Sequence, residues 1–487
     1  MTLISAPLPP HALRCTASAI ATAAAAACCL AAPSASWATS ADVAEQQLAV
    51  ALGDLGLALL RDSPGANAVV SPLAVATVLG MVQSGATGNT EHEIEALFGP
   101  GRSGAMAMRH SLPALSAQLR EATGGKARAA AAARAAGSAS SAHGAHAMHM
   151  ASTSASAPTA QPAASAASGP AVRQAARVWI DSSVAKDTPA SFKHRLAARH
   201  GADALVLSFA DTEAARAQIN RWTAEHTAGR IAELLPAGSL AKSTQLTLTA
   251  AVHFRSAWAK PFDAAQTEPR PFIGVVPVSA TGAASGAAGA AGTPTVPTLH
   301  DERPLAQAVV DGHRLYALPF AAGYDLVLGV PAEAGAGGGG GSLEAMLKSL
   351  DGAALARWRT ALKAAEPARS SFSMPKFAFA PKAGSIKASL QRLGVQTAFT
   401  DKAELKPMLG RAAPGAHVDD VHHAAGIAVD ENGGEAVAAA AATVKPKSLA
   451  LPAPPCAVDR AFAFVVMHRA SGAPLFVGRV SDPARSE

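Results

Sequence analysis

Apolar residues recur at helical spacing through residues 42–62, DVAEQQLAVALGDLGLALLRD, and predict an amphipathic helix that Ser63-Pro64-Gly65 ends. Residues 67–70 read as a short strand, and Ser71-Pro72 starts the next helix with proline at a favourable first position. That helix, residues 73–83, is apolar on nearly every face, which predicts a central place. Thr90 with Glu93 reads as a capping box for a helix running to Leu97. Further on, residues 175–180 and 204–209 are strand-like, with a helix at 191–199 between them. A helix opens at Ile219-Asn220-Arg221-Trp222 and ends near His226.

Residues 245–255, QLTLTAAVHFR, alternate and predict a long strand. Strands follow at 305–310, 314–318 and 324–330, then one helix over 343–364. Residues 370–379 alternate as a strand, 386–393 form a helix stopped by Gly394, and 418–429 are strand-like. The chain closes on strands at 462–468 and 475–480, a hairpin around Ser471-Gly472. Helices dominate the first third and strands the last, the order of an α+β fold.

One stretch stands apart: residues 429–448, VDENGGEAVAAAAATVKPKS. Read as a strand, one face carries Gly434, Ala436, Ala438, Ala440, Ala442 and Val444, small and uncharged throughout. The other carries Glu435, Val437, Ala439, Ala441, Thr443 and Lys445, with every charge. Such a segment fits between two existing strands, small residues against a core and charges toward water. By composition alone it reads as an Ala-rich helix or tether.

Composition narrows the function classes. The chain has 487 residues and a net charge of +6, but only 16% are charged and there is no basic run, which argues against nucleic acid as a partner. Residues 1–38 read as an export signal, with an apolar run from Cys15 to Ala32 and small residues around a cut after Ala38. No other stretch reads as membrane-spanning. Cys15, Cys28 and Cys29 leave with the signal, and Cys456 has no internal partner for a disulfide. Residues 39–487 then make a single domain, broken by Ala/Gly/Ser-rich insertions at about 122–171, 279–295 and 335–341. His143, His146 and His149 lie in the first of these and read as part of a solvated tract, not a metal site. The chain has no G-x-S-x-G elbow, no H-E-x-x-H helix and no Walker-type loop, so neither catalyst, metal nor cofactor is expected.

Together the motifs resemble the serpin family from about Ala44 to Pro483. Asn67-Ala-Val-Val-Ser71-Pro72 and Gly85-Ala86-Thr87-Gly88-Asn89-Thr90 look like its N-terminal signature. Asn220-Arg221-Trp222, Thr227 to Ile231, His253-Phe254, Trp258, Phe262, Thr267 and Phe272 follow in family order. Met374-Pro375-Lys376-Phe377, His423, Val429 to Gly433 and Leu475 to Val480 complete the match. The resemblance implies a bacterial, exported member, periplasmic or extracellular and monomeric, with helices packed on three β-sheets and an exposed reactive-centre loop. It also implies a suicide inhibitor: a serine protease cleaves the loop, and the loop inserts into the large sheet before the acyl-enzyme hydrolyses. Pairing about a dozen inserted residues on both sides would release on the order of 10 kcal/mol.

The family's loop length, counted from the hinge Glu431, puts the scissile bond at Lys447-Ser448, which suits a protease of trypsin-like specificity. The hinge is then Glu431, Gly433, Gly434, Glu435, Ala436, Ala438 and Ala440. Ser71 and His423 make up the buried sheet-opening cluster, with Ala74 and Ala250 standing where the family has Ser and Asn. Gly434 replaces the usual Thr, Ser or Val, and Ala440 the usual Thr, which implies slower insertion. The alternative is a non-inhibitory serpin, cleaved as a substrate or acting as a carrier.

Overall fold

The apolar spacing near the start of the chain becomes α1 (Ser40–Asp62). Its residues from Asp42 onward are long and apolar enough, by composition, to cross a membrane, contrary to the expectation that nothing beyond the signal would be. Leu48, Leu52, Leu55, Leu59 and Leu60 are instead buried in the main core, as in a core helix of a folded domain. The computed structural model describes residues 40–119, 172–274, 294–331, 342–380, 382–410, 415–434 and 453–485. Residues from Ala41 onward form one compact unit.

After α1 come β1 (Ala68–Val70), α2 (Pro72–Gln83) and α3 (Gly88–Ala96). All twelve residues of α2 are buried, as its all-round apolar surface requires. The capping box does not form: α3 starts at Gly88, so Thr90 lies inside the helix, where its hydroxyl accepts from the Glu404 amide (3.0 Å). Glu93 instead accepts from the amides of Gln396 and Thr397 (2.8 and 2.7 Å). A tertiary contact has taken over both residues.

The remaining strands are, in order, β2 (Val172–Asp181), β3 (Leu205–Leu207), β4 (Leu246–Phe254), β5 (Ser256–Ala257) and β6 (Glu268–Pro271). Next come β7 (Thr295–Val310), β8 (His313–Pro319), β9 (Tyr324–Val330), β10 (Ala368–Pro375), β11 (Phe377–Phe379) and β12 (Gly384–Ser385). The last are β13 (Val418–Val429), β14 (Gly433–Gly434), β15 (Pro455–Ala457), β16 (Phe462–His468) and β17 (Pro474–Val480). They form a nine-stranded sheet, a six-stranded sheet and the two-stranded pair β14–β5, the α+β architecture expected. In the six-stranded sheet the order is β11-β13-β4-β2-β3, with β12 also on β13.

Two expected elements divide. Residues 370–379 are not one strand: β10 lies in the nine-stranded sheet and β11 in the six-stranded one, and the chain changes sheets at Lys376. The helix read over 343–364 is two, Leu343–Ser349 and Gly352–Ala364, because the Asp351 carboxylate accepts from the Ala354 amide (2.6 Å) and starts a new helix there. The helix expected to open at Ile219 begins at Thr212, capped by Asp211, and runs to His226.

That helix decides how the six-stranded sheet is covered. β4 was read as alternating, yet all nine of its residues are buried. Leu246, Leu248, Ala250, Val252 and Phe254 join the main core. On the opposite face Ala251 packs with Ala424 of β13, Trp179, Ile219, Leu234 and Leu235, beneath the 212–226 helix and the chain that follows it. The Asn220 side chain holds that cover in place, accepting from the Leu234 and Leu235 amides (3.0 and 2.8 Å) and donating to the Leu235 carbonyl (2.9 Å).

Candidate functional site

β13 and β4 are parallel neighbours, in register from His423 opposite Ala250 to Ile427 opposite Phe254. A parallel seam inside a sheet is the place where one antiparallel strand, entering between the two, would pair on both sides. The site is organised around the head and the middle of this seam.

At the head, β13 ends at Val429 and the chain reverses in a tight turn. The Asp430 amide donates to the Gly433 carbonyl (2.9 Å), and the Asp430 carboxylate accepts from the Asn432 and Gly433 amides (2.7 and 3.1 Å). Asp, Asn and Gly supply turn chemistry that reverses the chain directly after β13. Gly433 sits at φ +136, and a Cβ there would come within 2.2 Å of the Ser256 carbonyl. Only glycine fits. Gly433 and Gly434 then pair antiparallel with Ala257 and Ser256, the extension of β4. Gly434 lies between the two seam strands: a Cβ there would meet the Phe254 ring at 2.9 Å and the Ala428 carbonyl at 3.5 Å.

The turn is tied down from the side. Glu431 pairs with Lys376 Nζ (2.8 Å) and accepts from the Thr267 hydroxyl (2.8 Å), while its carbonyl accepts from the Phe262 amide (2.8 Å). Burial acts to raise the Glu431 carboxyl, but the bonds from Lys376 and Thr267 outweigh it and leave the group below its ordinary value. Trp258 donates from its indole to the Asp430 carbonyl (2.8 Å) and from its amide to the Asn432 carbonyl (2.9 Å), and stacks on Phe320 at 4.2 Å. Sequence reasoning named Trp258, Thr267 and Lys376 as motif residues without giving them a role in the site.

At the middle, Ser71 and His423 are brought together as expected. The Ser71 amide donates to His423 Nε2 (3.0 Å), and His423 Nδ1 donates to the Ala250 carbonyl across the seam (2.6 Å). An amide can only donate and a carbonyl only accept, so the proton is on Nδ1 and the ring is neutral. Burial lowers the His423 pKa to about 4, even though the Ala250 carbonyl acts to raise it. The Ser71 hydroxyl donates to the Leu475 carbonyl (2.6 Å) and accepts from the Ala74 amide (3.3 Å), joining β17 to the cap of α2. Ala74 and Ala250 contribute only backbone atoms.

Glu435, Ala436, Ala438, Ala440 and the bond Lys447-Ser448 lie outside the described residues, as do residues 1–38 and the whole insertion at 122–171 with its three histidines. Among the described residues no group of three or more His, Cys, Asp or Glu side chains is arranged to hold a metal.

Comparison with known proteins places this geometry in a family. Residues 53–483 match the model described as serpin (serine protease inhibitor). A putative serpin-Z6C of Oryza sativa subsp. japonica is 30% identical over 438 residues, covering 86% of this chain and 91% of the relative. Serpin-Z2A of Triticum aestivum is 29% identical over 332 residues, covering 65% and 76%. Both relatives are plant proteins and give no support to a bacterial source. The fold matches that of human thyroxine-binding globulin, with a TM-score of 0.66 at 18% identity over 91% of this chain and 100% of that one. It matches the native state of the thermophilic serpin Tengpin at 0.65 and 18%, over 90% and 94%. The chain belongs to the serpin family, whose members are generally inhibitors of serine proteases.

Proposed function

We propose that this chain is a suicide-substrate inhibitor of trypsin-like serine endopeptidases, cleaved at Lys447-Ser448 and exported to the periplasm or cell exterior. The observation that carries the reading is the position of Gly434 between Phe254 and Ala428, at the head of a parallel seam and already antiparallel to β5, which follows β4 in the chain. Continuing the Gly434–Ser256 register one residue at a time sets Ala436 opposite Phe254 and Val444 opposite Leu246. The run of small residues thus matches the length of the seam, about 30 Å, and the two lysines fall just beyond its far end. In that register Ala439 falls level with Ala251 and Ala424, beneath the 212–226 helix. A roofed face accounts for small residues at Val437, Ala439 and Ala441, where a face open to water would need none.

The protease serine attacks the Lys447 carbonyl, Ser448 leaves as the free amine, and an acyl-enzyme remains on Lys447. The cut strand enters the seam. Parting β13 from β4 from about 5 Å to about 10 Å breaks the His423–Ala250 bond, and two new ladders replace one. The gain, on the order of 10 kcal/mol, drags the acylated protease toward the opposite end of the sheet.

The test is to mix the mature protein with trypsin and run a denaturing gel. A complex that survives boiling, with release of a peptide beginning at Ser448, is the expected result. Clean cleavage there with no complex, and a melting temperature unchanged by cleavage, would support the carrier or substrate reading instead. Export is tested by N-terminal sequencing of the secreted protein, expected to begin at Thr39.

A further inference from the structure

The roofed face of the seam changes character along its length. Near the head it is apolar, where Ala251 of β4 and Ala424 of β13 pack beneath the 212–226 helix and the chain after it. Toward the far end the same face carries Thr249 and Thr247 on β4 and His422 and Asp420 on β13, with Gln245 just before β4. His422 and Thr247 are 3% and 0% exposed.

The polar groups there are only partly used. Both ring nitrogens of His422, the Thr247 hydroxyl and Gln245 Oε1 are buried without a hydrogen-bond partner. The Asp420 carboxylate accepts at Oδ1 from the Ser385 hydroxyl and the Val421 amide (both 2.6 Å). Its Oδ2 stands 3.8 Å from His422 Nε2, too far for a hydrogen bond. Buried polar atoms are nearly always paired, so a group of unpaired ones on one stretch of a sheet face marks where partners belong. Thr249 in the same row shows the contrast, since the Trp179 indole donates to its hydroxyl (2.9 Å).

The loop carries matching groups in the matching order. The register rests on the insertion reading above: with Gly434 opposite Ser256, Ala441 falls level with Thr249 and His422, Thr443 with Thr247 and Asp420, and Lys445 with Gln245. Val437 and Ala439 then meet the apolar half of the roofed face, and Thr443 and Lys445 the polar half. We propose that the far end of the seam is a polar receptor that selects Thr443 and Lys445 and so fixes the register of the inserted strand. The Thr443 hydroxyl bonds to Thr247 Oγ1 beside it and to the His422 ring on the diagonal, where Ala441 leaves room for the imidazole. An ammonium only donates, while Gln245 Oε1 and the Asp420 carboxylate only accept, so Lys445 suits them in kind. A slip of one residue would turn Thr443 and Lys445 toward the main core, and a slip of two would set Ala441 or Lys445 beside Thr247. An alanine run fits the seam in any register, and these polar groups specify one.

The experiment adds a fluorescein-labelled synthetic peptide of residues 434–447 to the full chain and follows its uptake by anisotropy. The peptide should bind saturably, and its Thr443→Val form about tenfold more weakly. A peptide with Ala441 and Thr443 exchanged, identical in composition, should weaken as much. In a chain carrying His422→Leu and Thr247→Val, the difference between the native and Thr443→Val peptides should shrink to less than about twofold. That chain should melt no lower than the wild type, because the replaced atoms have no partners to lose. Merely structural polar groups would lower its melting temperature and leave the peptide difference intact. Equal binding of the native, Thr443→Val and exchanged peptides to the wild-type chain overturns the receptor and leaves insertion standing. Uptake of none of them removes insertion itself, and the receptor with it. Should the double variant fail to fold, the peptides on the wild-type chain decide alone.

Discussion

The two ends of the seam's control are built from opposite chemistry. At its head the turn is held by an ion pair whose members remain partly in water, with Lys376 36% and Glu431 13% exposed. At its middle His423 and Ser71 are 5% and 1% exposed and bond only to each other and to backbone. Charges in partial contact with solvent interact weakly and respond to salt, whereas a buried neutral hydrogen bond is costly to leave half made. The seam therefore has a loose entrance and a firm centre. Under the proposed insertion, an incoming strand would meet little resistance at Gly434 and would have to break a desolvated contact halfway down.

The largest effect should come from the centre. His423→Ala leaves the Ser71 amide and the Ala250 carbonyl buried without partners, at about 1–3 kcal/mol each. Chemical denaturation at neutral pH should show a loss of about 4 kcal/mol, and a loss below 1 kcal/mol would mean the centre is not firm. The pH dependence is next. His423 is held neutral with a pKa of about 4, against 6.5 for an unhindered histidine. The unfolded chain therefore binds the proton first as pH falls, and stability present in full above 6.5 is lost progressively down to about 4, by about 3 kcal/mol. The variant lacks this histidine, so its stability curve should converge on that of the wild type as pH falls. Parallel curves would assign the acid sensitivity elsewhere, with His253, also lowered to about 4, as the first suspect.

The smallest effect belongs to the head. Glu431→Gln keeps a partner for Thr267 but removes the charge that Lys376 meets, at about 1 kcal/mol. Because that pair is screened, the difference from wild type should vanish in about 1 M salt, while the His423→Ala difference should not. Equal salt sensitivity in both variants would erase the distinction between entrance and centre.

Much of this was legible in the chain itself. The apolar surface of residues 73–83 announced a central helix, and all twelve residues of α2 are buried. Local periodicity reports which faces of an element are apolar, and that survives into any fold. The helix start read at Ser71-Pro72 rests on local geometry and holds: Ser71 caps the helix that follows it.

Tertiary contacts decided the rest. β4 and β13 meet although some 170 residues separate His423 from Ala250 along the chain. No local pattern encodes that pairing, because its hydrogen bonds are backbone groups common to every residue. Thr90 and Glu93 had the spacing of a cap, but the Glu404, Gln396 and Thr397 amides claimed them. Thr247 and Thr249 are polar positions of an alternating segment, yet both are buried, and the Trp179 indole donates to the Thr249 hydroxyl (2.9 Å). The sequence by itself determined where most helices and strands lie and which of their faces are apolar. Only the tertiary structure decided where the parallel seam lies and what holds it closed, because both depend on which distant backbone groups come within hydrogen-bond reach.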